Sequence, residues 1–414
     1  RDRDRPRFPR RGVPMTGEEA IALTQRFQMG NYSRLPVTFV RGEGCWLFDD
    51  LGKPYLDFLG GIAVAILGHA HPAVTRAIGE QAGRLVHVSN LFHVPVQAAL
   101  GARLSAATTG GKVFFCNSGT EANEAAIKLA RRWAFDRHGE GRHGIVVLEG
   151  SFHGRTYGGL SATAQPKFHE GFEPMLPGFV TVPLGDIDAL GEALTDRVCA
   201  FFVEPIQGES GVRMHPPGYL KEAESLCRSK GILLVADEIQ TGMGRTGAFL
   251  ASGRFGIVPD VVTLAKGIAN GLPLGAVVAR DEVAAVLVPG SHGSTFGGNP
   301  VCCAAALAVM DVLESPGFYD DVARKGERLR EGLARIAARR TDIVGVRGAG
   351  LMVGAEMSCE TKPIAVRCLD AGLVVNSAAG NVLRFLPPLT VTEGEIDRGL
   401  EILSASRPAE GWKS

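Results

Sequence analysis

Lys266 closes the apolar run Val261-Val-Thr-Leu-Ala and is followed at once by Gly267, in a chain with ten lysines against 34 arginines. A lysine desolvated against an apolar strand loses pKa and becomes an amine nucleophile for a carbonyl; the plainer alternative is a surface lysine at a strand end. Asp237 lies 29 residues earlier, at the end of Gly231-Ile-Leu-Leu-Val-Ala. An acid at the carboxyl end of a parallel strand points into the crevice where α/β folds bind ligands, unless it only caps the next element. Asn117-Ser118-Gly119-Thr120 falls between an apolar strand and a helix. Orphan amides and the helix dipole make such a junction an anion site, with Gly119 allowing close approach of a phosphate; an ordinary N-cap by Ser118 competes with that reading.

A phosphate cup, a buried acid and an imine-forming lysine are the three parts that pyridoxal phosphate requires, the acid keeping the pyridine nitrogen protonated so that the ring can draw electrons. Other signatures lack their context. Gly242-Met-Gly244-Arg-Thr-Gly247 matches a dinucleotide fingerprint in letters but opens no convincing helix, and no βαβ unit surrounds it. Gly111-Lys112 lacks the spacing of a P-loop, and His169-Glu170 lacks a second histidine. The ten histidines form no ligand-spaced cluster, so no metal is expected.

The elements that must position these residues follow from the apolar pattern. Runs at 113–116, 145–148, 198–203, 231–236, 261–264 and 275–278 are nearly continuous and alternate with helical stretches. This is the pattern of an α/β fold whose mostly parallel sheet is covered on both faces. Apolar positions at 122, 125, 126, 129, 130 and 133 predict a helix from Thr120 to Trp133, and 218–229 is helical too. A buried helix is expected at 300–315 and a charged amphipathic one over 319–339. Shorter strands and a last helix are expected across 343–403, and 37–66 has the texture of strands and turns packing with the C-terminal part.

Length and composition agree. The chain has 414 residues, 44 Lys+Arg balanced by 44 Asp+Glu, and 45% hydrophobic residues. Zero net charge argues against a polyanion-binding role, and the apolar content against disorder. The 54 glycines cluster without a three-residue period, which excludes a collagen-like chain. Eight cysteines without a C-x-x-C pair read as buried thiols of a reducing compartment, and no run reaches the length of a membrane span. The expected divisions are a disordered tail at 1–16, an N-terminal segment at 17–75, a large cofactor-binding domain at 76–312 and a small domain at 313–414. The tail holds six arginines and three prolines; an organelle transit remnant and a true start at Met15 are the other readings of it.

From about Asn31 to Thr392 the chain resembles the class III aminotransferases of fold type I. The segments that carry the resemblance are Phe114-Phe-Cys-Asn-Ser-Gly-Thr-Glu-Ala-Asn-Glu, Gly150-Ser-Phe-His-Gly-Arg-Thr, Glu204-Pro-Ile-Gln-Gly-Glu, Asp237-Glu-Ile-Gln-Thr-Gly-Met-Gly-Arg-Thr-Gly, Thr263-Leu-Ala-Lys-Gly and His292-Gly-Ser-Thr-Phe-Gly-Gly-Asn-Pro. The resemblance implies a large domain with helices on both sides of the sheet and a smaller α+β domain built from both termini. It implies pyridoxal 5'-phosphate bound as a Schiff base to Lys266, which also shuttles the proton. Asp237 would pair the pyridine nitrogen, Gln240 would bond the ring oxygen and Phe152 would stack on the ring, with His153 beside it. Ser118, Gly119 and Thr120 would hold the phosphate, joined by Thr295 of a neighbouring copy, so a homodimer with its site at the subunit interface is implied.

Arg155 and Arg384 match carboxylate-binding arginines of the family, Glu209 a glutamate that covers the second one, and Ser294 a residue near the acyl end of the donor. Taken alone, each arginine reads as a surface residue. The implied reaction moves the terminal amine of N2-acetyl-L-ornithine to 2-oxoglutarate, a step of arginine biosynthesis in the cytoplasm. Other ω-amino donors (succinyldiaminopimelate, succinylornithine, ornithine, 4-aminobutyrate, a carrier-linked lysine) are the alternatives, and an aminomutase or racemase is a further one. Two positions depart from the family pattern: Ala65 stands where an asparagine is usual, which puts the acyl preference in doubt, and Ser210 replaces a glycine.

Overall fold

The computed structural model describes residues 15–406. Of the expected tail, only Met15 and Thr16 fall within it. Thr16 caps the helix Gly17–Phe27 through a reciprocal pair with Glu19; the rest of the expected tail lies outside the described residues.

Among the described residues, fifteen strands follow in chain order. The first three are β1 (Phe39–Glu43), β2 (Trp46–Asp49) and β3 (Pro54–Asp57). The central seven are β4 (Lys112–Cys116), β5 (Gly144–Leu148), β6 (Phe179–Val182), β7 (Val198–Val203), β8 (Leu233–Asp237), β9 (Val261–Leu264) and β10 (Gly275–Ala279). The last five are β11 (Ile343–Ala349), β12 (Met352–Met357), β13 (Leu373–Val374), β14 (Asn376–Ala378) and β15 (Val382–Phe385).

The central seven form one sheet in the order β4-β10-β9-β8-β7-β5-β6. Neighbours from β9 to β6 pair in parallel, and β10 runs antiparallel to both β9 and β4. The reversal has a local cause. Only residues 265–274 separate β9 from β10, and a parallel return needs a crossover of about a dozen residues or more. Two reversals restore direction, so β4 points the same way as β9 and its carboxyl end lies on the same edge of the sheet as those of β5, β7, β8 and β9. β6 is an addition to the sequence reading. Its central Val180 and Thr181 are exposed at the edge of the sheet.

The helix Gly119–His138 buries Ala122, Ala125, Ala126, Ile127, Leu129, Ala130, Trp133 and Ala134 against the sheet. It outlasts the expected end at Trp133: Arg132 pairs with Asp136 one turn on, basic residues occupy the last turn, and Gly139 stops it with a φ of 74°. The expected helix at 300–315 runs from Pro300 to Leu313, capped by Asn299, whose side chain accepts from the amides of Val301 and Cys302. Gly317 then turns the chain into Phe318–Ala337.

The remaining strands make two four-stranded sheets, β1-β2-β3-β13 and β11-β12-β15-β14. In the first, Leu56 and Asp57 of β3 pair in parallel with Leu373 and Val374 of β13, which joins the two ends of the chain. Among the described residues, no single helix is long and apolar enough to cross a membrane.

Candidate active site

A cavity of about 230 Å³ opens at the carboxyl edge of the large sheet, walled by Gly119, Thr120, Asn123, Phe152, His153, Gly154, Arg155, Glu204, Asp237, Ile239, Gln240 and Lys266. Its walls come from loops after β4, β5, β7, β8 and β9, the place where a parallel sheet leaves its ligand crevice. Of the residues expected at the site, the structure brings Gly119, Thr120, Phe152, His153, Arg155, Asp237, Gln240 and Lys266 to this one cavity.

Asp237 is buried at the floor. Its Oδ2 accepts from His153 Nδ1 at 2.7 Å and from Asn123 Nδ2 at 2.8 Å, and its Oδ1 accepts from the Ile239 amide at 3.1 Å. Three donors hold the carboxylate in one orientation. Two polar atoms beside it lack partners, Asn123 Oδ1 and His153 Nε2, both buried. Asn123 carried a signal that the sequence reading passed over. It is a polar residue on the buried, otherwise apolar face of its helix, one turn after Gly119.

Lys266 follows β9 with a φ of 46°, a left-handed conformation that costs a non-glycine residue energy and recurs at functional sites. The turn is packed from below, since a Cβ on Gly267 would lie 2.7 Å from Ile66 Cγ2. Burial pushes the Lys266 amine below its usual pKa and Arg384 adds to the effect, while Glu209 and Asp237 oppose it. An amine so placed is closer to its neutral, nucleophilic form than a surface lysine.

At the phosphate corner the outcome is divided. The amides of Gly119 and Thr120, the first of the helix, have no hydrogen-bond partner among the described residues. A Cβ on Gly119 would sit 2.9 Å from Ile239, so only glycine leaves the corner open. The Ser118 and Thr120 hydroxyls are engaged elsewhere. Ser118 Oγ accepts from the Glu121 amide at 3.3 Å and donates to Glu121 Oε2 at 2.9 Å, which makes it the N-cap. It does not line the cavity. Thr120 Oγ1 accepts from the amides of Arg155 and Thr156 at 3.1 and 3.2 Å and shares a 2.7 Å bond with Thr156 Oγ1, tying the helix start to the loop after β5. Two amides without partners at a helix start can accept an anion.

Arg384 and Glu209 approach from opposite sides. Arg384, fully buried in β15, donates from Nη1 to Glu209 Oε1 at 2.8 Å and to Gln240 Oε1 at 3.1 Å, and from Nε to Asn376 Oδ1 at 2.9 Å. Gln240 Nε2 donates to the same Glu209 oxygen at 3.2 Å. Burial alone would raise the Glu209 carboxyl, but Arg384 and Lys266 outweigh it and hold it below the usual carboxylate range. Arg155 stays exposed at the rim, its guanidinium 3.9 Å from the centre of the Phe168 ring and 5.5 Å from that of Phe152.

Ser294 and Thr295 lie outside the cavity wall of their own chain. Ser294 Oγ accepts from the Gly297 amide at 3.0 Å and from Asn117 Nδ2 at 3.2 Å, and Thr295 is exposed.

The comparisons with known proteins converge. Residues 28–406 match the family model "Aminotransferase class-III". The chain is 48% identical over 384 residues to acetylornithine aminotransferase of Caldanaerobacter subterraneus subsp. tengcongensis, covering 92% of this chain and 98% of the relative. It is likewise 48% identical over 378 residues to acetylornithine aminotransferase of Aquifex aeolicus, with coverage of 91% and 98%. Among solved structures, ornithine aminotransferase of Toxoplasma gondii ME49 superposes with a TM-score of 0.91 at 36% identity, covering 95% of each chain. Acetylornithine aminotransferase of Elizabethkingia anophelis does so with a TM-score of 0.84 at 33% identity, covering 95% and 99%.

Proposed function

The chain belongs to the class III aminotransferases, and from that premise we propose that it moves the terminal amine of N2-acetyl-L-ornithine to 2-oxoglutarate, giving N-acetyl-L-glutamate 5-semialdehyde and L-glutamate. The observation that carries the reading is the Arg384–Glu209 ion pair at 2.8 Å, near enough to Lys266 for both charges to act on its amine, although neither residue lines the cavity wall itself.

The residues present suit pyridoxal phosphate. The unpartnered amides of Gly119 and Thr120 accept a phosphate, the fixed Asp237 carboxylate suits a pyridinium nitrogen, Phe152 and Ile239 supply walls for a flat ring, and Lys266 supplies the amine. When bound, the cofactor supplies an aldehyde for the amine and a ring that takes up the electrons released at carbon. His153 and Asn123 hold the Asp237 carboxylate in place by donating to its Oδ2. Lys266 Nζ takes the proton from the terminal carbon of the donor and delivers it to the cofactor rather than back to that carbon, a task that suits an amine lowered by burial. Arg155 grips a carboxylate at the rim, bidentately if both nitrogens engage. With the amino donor bound, Glu209 neutralises Arg384 and the donor's uncharged chain lies against the pair. With 2-oxoglutarate bound, Glu209 swings off and Arg384 receives the second carboxylate. One pocket thereby serves two substrates of different charge.

In this reading the enzyme is a homodimer, with Thr295 reaching the phosphate of the partner's site. Leu91, Phe92 and Phe296 are exposed by 86%, 65% and 60%. They lie on two segments joined by Asn90, which donates to the carbonyls of Ser294 and Gly297, and an apolar patch of this kind on a surface marks an interface. The mass in solution tests this, and a monomer would contradict it. A cytoplasmic setting is supported by the eight free cysteines. The reaction is tested by mixing the protein with N2-acetylornithine and 2-oxoglutarate. Glutamate should form in step with the semialdehyde, and product formed without any keto acid would favour an aminomutase or racemase instead.

A further inference from the structure

Glu204 stands in the wall of the same cavity, and no role described above uses it. It follows β7 at the carboxyl edge of the sheet and is 6% exposed. Its two carboxylate oxygens face different loops. Oε2 accepts from the Phe152 amide at 3.0 Å, and Oε1 accepts from the Gly208 amide at 3.3 Å. Phe152 is the aromatic wall of the cavity, on the loop after β5. Gly208 directly precedes Glu209, which covers Arg384.

The loop after β7 has little freedom around this carboxylate. A Cβ on Gly208 would fall 2.2 Å from Gln240 Oε1, so the backbone there packs directly on the glutamine that bonds Glu209. The backbone of Glu204 is itself anchored, since its carbonyl accepts from His215 Nε2 at 2.8 Å.

We propose that Glu204 is a positioning residue that couples the placement of Phe152 to that of Glu209, so that the aromatic wall and the cover over Arg384 are held by one buried carboxylate. The proposal rests on the functional reading above, in which Glu209 must cover Arg384 for the amino donor and leave it for the keto acid. Losing the tie should therefore harm the two halves of the reaction unequally. The donor half needs Glu209 in place and Phe152 seated. The acceptor half needs Glu209 displaced, which a looser tie favours.

The charge of Glu204 enters the same argument. Burial raises its carboxyl to about 7, with Asp237 of β8 adding to the rise and His153, from the loop after β5, opposing it. Lys266, from the turn after β9, is the other charged group that feels it. Below that pH the carboxyl takes a proton, becomes a weaker acceptor, and the tie to the two amides loosens.

The test measures the two halves separately, by mixing the cofactor-loaded enzyme with N2-acetylornithine alone, or its aminated form with 2-oxoglutarate alone, and following the absorbance of the bound cofactor. Glu204→Gln offers one acceptor oxygen and places an NH2 against the other amide. In that variant kcat/KM of the donor half should fall about tenfold, while KM for 2-oxoglutarate stays unchanged or drops. Glu204→Asp keeps the charge but is one methylene short of both loops, and should resemble Glu204→Gln rather than the wild type. The unmodified enzyme should lose donor-half efficiency as pH falls through about 7, with no matching loss in the acceptor half. Lys266 serves both halves and would move them together, and protonation of the donor amine gives a decline of constant slope, so an added break near pH 7 in the donor half alone is the readout that stands even where the variants do not fold. Equal losses in both halves, or a wild-type ratio and pH profile in the variants, would overturn the proposal. Failure of the wild-type enzyme to pass the amine to 2-oxoglutarate would overturn the functional reading itself, and the proposal with it.

Discussion

Arg384 Nη1 lies 2.8 Å from Glu209 Oε1, and the two residues come from separate sheets. The arginine belongs to β15 of a four-stranded sheet near the C-terminus, the glutamate to the loop after β7 of the seven-stranded sheet. Breaking a buried pair by removing one partner leaves a charge without compensation. Here Arg384 retains Asn376 and Gln240 as acceptors, which limits the cost of moving Glu209 away. The pair is therefore suited to opening and closing.

Glu209→Gln should lower KM for 2-oxoglutarate several-fold, because the incoming carboxylate no longer displaces an anion. It should also relax rejection of α-amino donors, whose carboxylate could reach Arg384. Steady-state kinetics with both substrate types check this; unchanged KM values would argue against a gate. The pH dependence has a definite sign. Arg384 and Lys266 hold Glu209 below the usual carboxylate range, so the pair persists above that lowered value and is lost only as pH falls through it. Titration of Glu209 itself should accordingly leave discrimination against α-amino donors constant from about pH 8 to 9, above the range near 7 in which Glu204 takes up its proton.

Lys266→Ala should remove the visible absorbance of the bound cofactor and lower kcat by about 10³-fold or more, since one amine serves both attachment and proton transfer. Absorbance spectra and a transamination assay on the purified variant check both. Retention of the wild-type spectrum would place the attachment point at another residue.

Gly154 has a φ of 130°, and a Cβ there would lie 2.1 Å from Thr120 Oγ1. Gly154→Ala should destabilise the fold by about 2 kcal/mol through backbone strain and displacement of Thr120, and weaken cofactor binding at the adjoining helix start. Thermal denaturation and cofactor titration should move together; a drop in Tm with unchanged cofactor affinity would separate the loop from the phosphate corner.

Asn123→Leu removes one of the three donors on Asp237 and leaves the His153 carbonyl without the Asn123 bond. We expect kcat to fall about tenfold, on the scale of losing a hydrogen bond to a buried charged group, with KM for both substrates little changed. A fall in KM alone would point to the substrate side of the cavity.

Much of this site could be read from sequence because its chemistry sits at strand ends. Asp237 and Lys266 each close an apolar run, and a parallel sheet delivers both to one edge. Gly119 was legible for the same reason, as the residue between strand and helix. Two features depended on tertiary arrangement. β10 looked like any other parallel strand, and its reversal follows from a connection too short to cross over. β6 is the short run Phe179-Val-Thr-Val182, and its place at the edge is set by its pairing with β5. The side-chain partners were harder still. That Ser118 is a cap, that the Thr120 hydroxyl bonds the loop after β5, and that Glu204 joins two loops all depend on distances between segments far apart in the chain. Asn123 is the exception, since one polar residue on an apolar helix face can be seen in sequence.

The donor preference is the central claim, and one measurement addresses it: kcat/KM for N2-acetylornithine, ornithine, succinyldiaminopimelate, succinylornithine and 4-aminobutyrate, each with saturating 2-oxoglutarate. The account predicts the highest value for N2-acetylornithine, with Glu209 over Arg384 and an uncharged acyl end on the donor. A value more than about tenfold higher for any other donor, an excess of about 1.4 kcal/mol in transition-state binding, would contradict it.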